Sequence, residues 1–298
     1  MFWEALREEE FPGAIERSGG LCVIPMGCLE KHGQHLPVGT DVYIAESVVE
    51  EAARMEEVVI LHAGPWLGEV STFHQDVDPA SVHRMGCIGI KQETILRILE
   101  ELCDEVGRNG FRKVLILSSH GGNVAMLNHF MRCQTYEKKS YATMWAWAVD
   151  DDLTEPQPLL REILERREEF PMITEEDIKV LEGWLATGYG GGHADFREAA
   201  MVMADHPELV AEDRYDAEDG RRNPRAEYLL QEGLHLANSW YASSPNCYSG
   251  LPPYGCSVGI GQAMKKINAE RLARIFRRVK ENEDCVRITQ LLPPKPVV

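Results

Sequence analysis

Apolar residues in this chain fall into short continuous runs, separated by stretches with helical spacing. Runs of strand length stand at 21–26 (LCVIPM), 57–63, 113–118 (KVLILS) and 142–148. Between them, 42–55 and 90–107 carry apolar residues every three or four positions, the second at Ile90, Ile95, Ile98, Leu99, Leu102 and Val106. That spacing predicts helices. Strands that are apolar throughout and alternate with helices predict an α/β fold, with a mainly parallel sheet covered on both faces. Ligands in such folds bind beyond the carboxyl ends of the strands.

The second half is less regular. Residues 150–188 are charged and helical in pattern, which predicts an inserted helical hairpin or lid with solvated Glu and Arg faces. A glycine cluster from Gly188 to Gly192 then leads into His193. The stretch AAMVMADHPELV predicts a helix ending near His206-Pro207, and 261–283 a last long helix with a solvated basic face. Turn residues dominate 244–257 (SSPNCYSGLPPYGC), which reads as a surface loop. The tail LLPPKPVV reads as extended, and the whole of 1–298 as a single domain.

Composition narrows the functional classes. Apolar residues make up 44% of the 298, enough for a packed core, yet no window approaches the roughly 18 apolar residues of a membrane span. Lys and Arg total 31 against 48 Asp and Glu, a formal net charge of −17, which argues against nucleic acid and against anionic membranes as partners. The charged N-terminus lacks a secretory apolar core, so a cytoplasmic location is expected. Eight cysteines occur without a Cys-x-x-Cys pair, as free buried thiols in a reducing compartment would. Cys28 reads as a core thiol in preference to a soft metal ligand.

Chemistry gathers at the strand ends. The first run leads into CLEKHGQHLPVGTD, with Glu30, His32, His35 and Asp41; the second leads to His74; the third runs directly into His120-Gly121-Gly122-Asn123. Residues two apart in an extended chain point the same way, so Glu30 and His32 can converge. The fourth run delivers Trp145 and Trp147 to one side, as pocket walls or as core. Ser118 and Ser119 precede His120, but strand neighbours face opposite ways and no Gly-x-Ser-x-Gly elbow is present. Nor does Gly121-Gly122 carry the lysine of a Walker phosphate loop. Carboxylate oxygen and imidazole together suit Zn, Mn or Fe. Two divalent ions that share a carboxylate and acidify a water use these residues more economically. One carboxylate and one histidine per ion, with a bridging Asp, accounts for Glu30, His32, Asp41, His120 and one further acid. Glu198, five residues after His193, is the candidate for the last.

These motifs match a known pattern. GCLEKHGQHLPVGTD, then SSHGGN, then GGHADFREAA, in this order over about residues 18–206, resemble the creatininase (creatinine amidohydrolase) family. The resemblance implies a three-layer α/β/α sandwich holding two divalent metal ions per subunit, Zn, Mn or Fe. Carried across, Glu30 and His120 would bind one ion and His32 the other, with Asp41 as the bridge and Glu198 in the metal shell. His193 would touch substrate and shuttle a proton to the leaving group, and Glu198 would also take part in catalysis. His35 and Asn123 would support the ligands from behind, and His74, Gly121, Trp145 and Trp147 would line the substrate pocket. A small-molecule substrate and a homo-oligomer, commonly a hexamer, are also implied. Creatininase itself has Tyr-Glu where this chain has Gly121-Gly122, and the rim stretch Val77-Asp78-Pro79-Ala80-Ser81 also departs from the family pattern. Hydrolysis of a small cyclic amide or other non-peptide C–N bond is therefore expected, on a substrate other than creatinine. The alternatives are hydrolytic C–C ring opening of a cyclic polyol diketone, and an inactive metal-binding homologue.

Overall fold

The computed structural model describes residues 1–70, 86–149, 158–188, 191–224, 227–234, 236–237 and 239–290. Four strands, β1 Leu21–Met26, β2 Val59–Ile60, β3 Lys113–Ser118 and β4 Ala142–Trp147, form one sheet in the order β2-β1-β3-β4. Every pairing is parallel. All residues of β1 and β3 are buried, as strands covered on both faces must be. The run at 57–63 contributes only two paired residues, and an isolated bridge from Phe2 to Ile60 covers its outer edge.

The helices are α1 Phe11–Arg17, α2 Thr40–Met55, α3 Gln92–Arg108, α4 Asn123–Cys133, α5 Pro158–Glu165 and α6 Glu175–Ala186. They continue with α7 Phe196–Met203, α8 Glu227–Gln231, α9 Ser239–Ser243, α10 Val258–Glu281 and α11 Asp284–Gln290. Strand alternation sorts most of them into two layers. Leu21 and Val23 of β1, with Leu115 and Leu117 of β3, point into a core shared with α2, α5, α6, α7 and α10. Cys22, Ile24 and Met26, with Val114 and Ile116, point the other way, into a core shared with α1, α3 and α4. The product is the three-layer α/β/α arrangement. On α3 the buried stripe is Ile95, Leu99, Cys103 and Val106, where each buried Ile or Leu contributes roughly 1.5–3 kcal/mol.

From the 150–188 segment, α5 and α6 bury Leu159, Leu160, Ile163, Leu181 and Trp184 in the first core. Arg166, outside, pairs with Glu162, Glu169 and Glu270. The 244–257 stretch is not the surface loop expected of its turn residues. Cys247, Tyr248 and Ser249 are buried, because this backbone finds its hydrogen bonds on distant segments. Gly33 N donates to Cys247 O (3.0 Å), and His193 and Ser249 exchange two bonds of 2.9 Å. None of the eight cysteines is in a disulfide, and Cys22, Cys28, Cys103 and Cys247 are buried. Among the described residues no helix is long and apolar enough to cross a membrane.

Topology sets the place of the site. From β1 the chain adds β2 on one side and β3 on the other, so the point where it reverses lies between β1 and β3, where such sheets open a crevice. Register pairs Met26 with Ser118 and Ser118 with Trp147. The segments leaving β1, β3 and β4 therefore emerge at one level.

Candidate metal centre

Four segments supply the site. After Met26 the chain passes Gly27, where a Cβ would lie 2.5 Å from Val42 N, so the backbone runs hard against the start of α2. Glu30, His32 and His35 follow, and α2 opens with Thr40 and Asp41 in its first turn. A carboxylate there also faces the positive end of the helix dipole. β3 leads into His120. Glu198 comes from the first turn of α7, whose N-cap Asp195 accepts from Arg197 N and Glu198 N. Ala194, at φ 56°, turns the chain just before that cap, and its N–H donates to Glu198 Oε2 at 2.5 Å.

Asp41 stands at the middle. Its Oδ2 is 3.2 Å from His120 Nδ1, which is also 3.1 Å from Glu30 Oε1. Its Oδ1 is 3.6 Å from His32 Nε2, which in turn is 3.7 Å from Glu198 Oε2. The donor atoms of Cys28, Glu30, Asp41 and His120 form one group within 4.8 Å, those of His32, Asp41 and Glu198 form another, and those of Glu30, His32 and His193 a third. His32 is fully buried, and its Nε2 has no hydrogen-bond partner. A buried polar atom without a partner costs about 1–3 kcal/mol, so its place between two carboxylates fits a cation held there.

The backbone sets the ring orientations. His32 Nδ1 donates to Glu30 O (3.1 Å), His120 Nε2 to Glu69 O (2.8 Å) and His193 Nε2 to Lys31 O (2.9 Å). A carbonyl can only accept, so in each ring the opposite nitrogen faces the carboxylates, the arrangement that metal-ligating histidines show. His193 Nδ1 lies 3.6 Å from Glu30 Oε1, and its ring centroid is 4.1 Å from that of His32. His35 does not touch the cluster; its Nε2 donates to Ala194 O (2.8 Å), bracing the turn before Glu198. Asn123 binds three segments: Oδ1 accepts from Glu69 N (2.8 Å), while Nδ2 donates to Gly27 O and Ser118 Oγ. Lys31 is tied to Glu218 at 2.6 Å with both side chains nearly buried, which fixes the box against the loop before Arg222.

Electrostatics make the cluster a proton store when no cation is present. Burial works against a charged His32, but Asp41 and Glu198 outweigh it and carry the pKa up to about 10. His120 is held well above its ordinary value against the same burial, by Glu30 and its other neighbours. Burial pushes Glu198 up to about 8, partly offset by His32. An ion that takes His32 and His120 must displace their protons. Glu198 is also largely protonated at pH 7, so zinc added to metal-free protein at that pH in weak buffer is expected to release roughly three protons per chain or more, and its affinity should rise with pH. Titration with a pH indicator checks this; uptake without acidification would contradict it.

The cluster floors a cavity of about 450 Å³ lined by Glu30, Asp41, His120, Gly121, His193 and Glu198, with Trp147 in its wall. Trp145 is not among the lining residues: its Nε1 donates to Asn128 Oδ1 (3.2 Å), and it packs against the second core. His74 lies outside the described residues. The sequence reading missed Glu69, Arg222, Trp240 and Ser249, all of which line the cavity. Trp240 stands edge-on to His193 at 5.3 Å between centroids.

A family model described as creatinine amidohydrolase matches residues 4–276. The chain belongs to the creatininase family. A mycofactocin precursor peptide peptidase from Mycobacterium ulcerans is 26% identical over 223 residues, 70% of this chain and 66% of the relative. A 2-amino-5-formylamino-6-ribosylaminopyrimidin-4(3H)-one 5'-monophosphate deformylase from Methanococcus voltae is 35% identical over 103 residues, 34% of this chain and 35% of the relative. The chain thus spans between about a third and two thirds of the length of these curated relatives. A solved creatininase variant in a zinc–zinc form gives a TM-score of 0.65 at 17% identity, covering 94% of this chain and 98% of its own. A manganese form of creatininase gives 0.67 at 16%, covering 94% and 99%.

Within the creatininase family this chain's glycine pair has its own physical reason. A Cβ on Gly122 would lie 2.4 Å from His120 Nε2 and 2.9 Å from Glu69 Oε2, whereas one on Gly121 meets nothing within 4 Å. Gly122 is thus required for the bond from His120 to Glu69 O, while Gly121 leaves the cavity open.

Proposed function

We propose that the protein is a dinuclear-metal hydrolase of small amide-type C–N bonds. One observation carries the reading: the two oxygens of a single buried carboxylate, Asp41, face two different histidine–carboxylate groups. Glu30, Asp41 and His120 would hold one ion, and His32, Asp41 and Glu198 the other. Divalent ions so held supply Lewis acidity for a carbonyl and an acidified water.

The chain's own residues do the rest. His193 presents Nδ1 at the cavity floor while Lys31 O fixes Nε2–H, so Nδ1 is the atom that can take a proton and pass it to a departing nitrogen. Trp147 and Trp240 are apolar walls that favour a planar substrate and exclude water. Arg222 is the one Lys or Arg side chain among the described residues of the lining, and can orient an electron-rich group. The volume suits a small molecule. The name of the family, an amidohydrolase, and that of one relative, a deformylase, both describe C–N cleavage.

The test joins metal analysis to a turnover screen of lactams, formamides and cyclic ketones. About two ions per chain are expected, together with turnover of a C–N substrate that chelation abolishes and zinc or manganese restores. Turnover of cyclic ketones alone would move the reading to C–C cleavage, and fewer than about one ion per chain would end the dinuclear model. In the same assay His193→Gln should lower kcat by roughly 10²–10⁴-fold with metal content unchanged. A parallel loss of metal would make His193 a ligand instead.

A further inference from the structure

Cys28 occupies the closed back of the cluster. Its side chain is fully buried, and its Sγ lies 3.0 Å from Asp41 Oδ2. It shares one 4.8 Å group of donor atoms with Glu30, Asp41 and His120. Close packing of backbone holds it there. A Cβ on Gly68 would lie 2.7 Å from Cys28 Cβ and 2.0 Å from Gly27 O, so the chain after β2 packs hard against Cys28. A thiol that only filled the core would meet apolar neighbours, whereas this one meets a carboxylate and stands among imidazole and carboxylate donors. Across the shared Asp41, the buried and unpartnered His32 Nε2 independently marks the cluster as a place for a cation.

We propose that Cys28 is a ligand of the ion held by Glu30, Asp41 and His120, and that its sulfur biases this half of the centre toward zinc over manganese. The inference rests on reading these residues as a metal centre. Binding breaks the S–H bond: the proton leaves to solvent, and the thiolate pair forms the bond to the ion. Thiolate is a favoured zinc ligand, while manganese prefers oxygen donors and water. The two halves of the centre then differ in kind, one with a sulfur donor and one with only imidazole and carboxylates.

Cobalt(II) is the probe, because a thiolate bound to it gives an intense near-ultraviolet charge-transfer band, whereas oxygen and nitrogen ligands give only weak visible bands. Metal-free wild type titrated with cobalt should show both kinds of band. Cys28→Ser should keep the visible bands and lose the charge-transfer band, whereas Cys247→Ser should keep both. In zinc–manganese competition Cys28→Ser should lose roughly tenfold of the preference for zinc, the scale of lost ligand-shell contacts. X-ray absorption on zinc-loaded wild type requires no variant and should show a sulfur neighbour at about 2.3 Å. Visible bands without charge transfer in wild type, or zinc without a sulfur neighbour, would overturn the role of Cys28 and leave the metal centre standing. Failure of wild type to take up cobalt or zinc at all would overturn both.

Discussion

Replacing Asp41 by Asn is expected to empty both halves of the centre at once. The two carboxylate oxygens lie on opposite sides of the cluster, Oδ1 at 3.6 Å from His32 Nε2 and Oδ2 at 3.2 Å from His120 Nδ1. Asn keeps the shape but turns one oxygen into a donor, which must then face either a histidine nitrogen or a cation. It also removes the one charge that both groups share. Metal content measured by elemental analysis should fall from about two to well under one ion per chain, and kcat/KM by roughly 10³-fold or more, the scale of losing a preorganised charge at the reacting centre. Glu198→Gln provides the contrast. It touches only the His32 half, so close to one ion should remain on Glu30, Asp41 and His120. An Asp41→Asn protein that is folded by circular dichroism and still holds both ions would show that Asp41 is no bridge.

Stripping the metal should be felt by the whole fold. Glu30, Asp41 and Glu198 converge in a nearly closed place, held together without a cation by protons on His32, His120 and Glu198 and by single donors such as Ala194 N–H. An ion that binds the folded chain and not the unfolded one stabilises it by about 4 kcal/mol when present at a thousand times its dissociation constant. At roughly 2–4 °C per kcal/mol, chelation should lower Tm by about 10 °C. Thermal melts with and without chelator, then with zinc returned, measure this directly. A Tm that chelation leaves unchanged would contradict occupation of the cluster by structural charge.

Much of this arrangement can be read from the chain, and the limits have physical causes. β1 and β3 coincide with apolar runs because both faces of each strand are buried, so nothing in their surroundings breaks the pattern. Glu30, His32 and Asp41 could be placed together because they follow one strand within a few residues and end on one helix turn. His120 follows from the same rule applied to β3. Trp145 and Trp147 share a side of β4, as alternation requires, but two residues along a strand is nearly ~7 Å. Only Trp147 reaches the rim, and Trp145 stays beside the core. Arg222, Trp240 and Ser249 escape a sequence reading because irregular segments bring them in. Those segments are placed by tertiary backbone bonds such as Gly33 to Cys247 and His193 to Ser249, which no periodicity records. Glu69 is hidden for a related reason: its part in holding His120 is played by its carbonyl, which any residue would supply.

That last point extends to every ring in the centre. The partners that settle which nitrogen of His32, His35, His120 and His193 carries the proton are main-chain carbonyls of residues 30, 194, 69 and 31. Glu30, whose carboxylate belongs to the cluster, Lys31, tied to Glu218, and Ala194, buried at positive φ, are constrained for reasons of their own, but no side chain at these positions sets the tautomers. Breeding a new substrate preference into the cavity wall therefore need not disturb the orientation of the ligands, as long as the four peptide planes stay where they are. An insertion or deletion in these loops would be far more damaging than most substitutions.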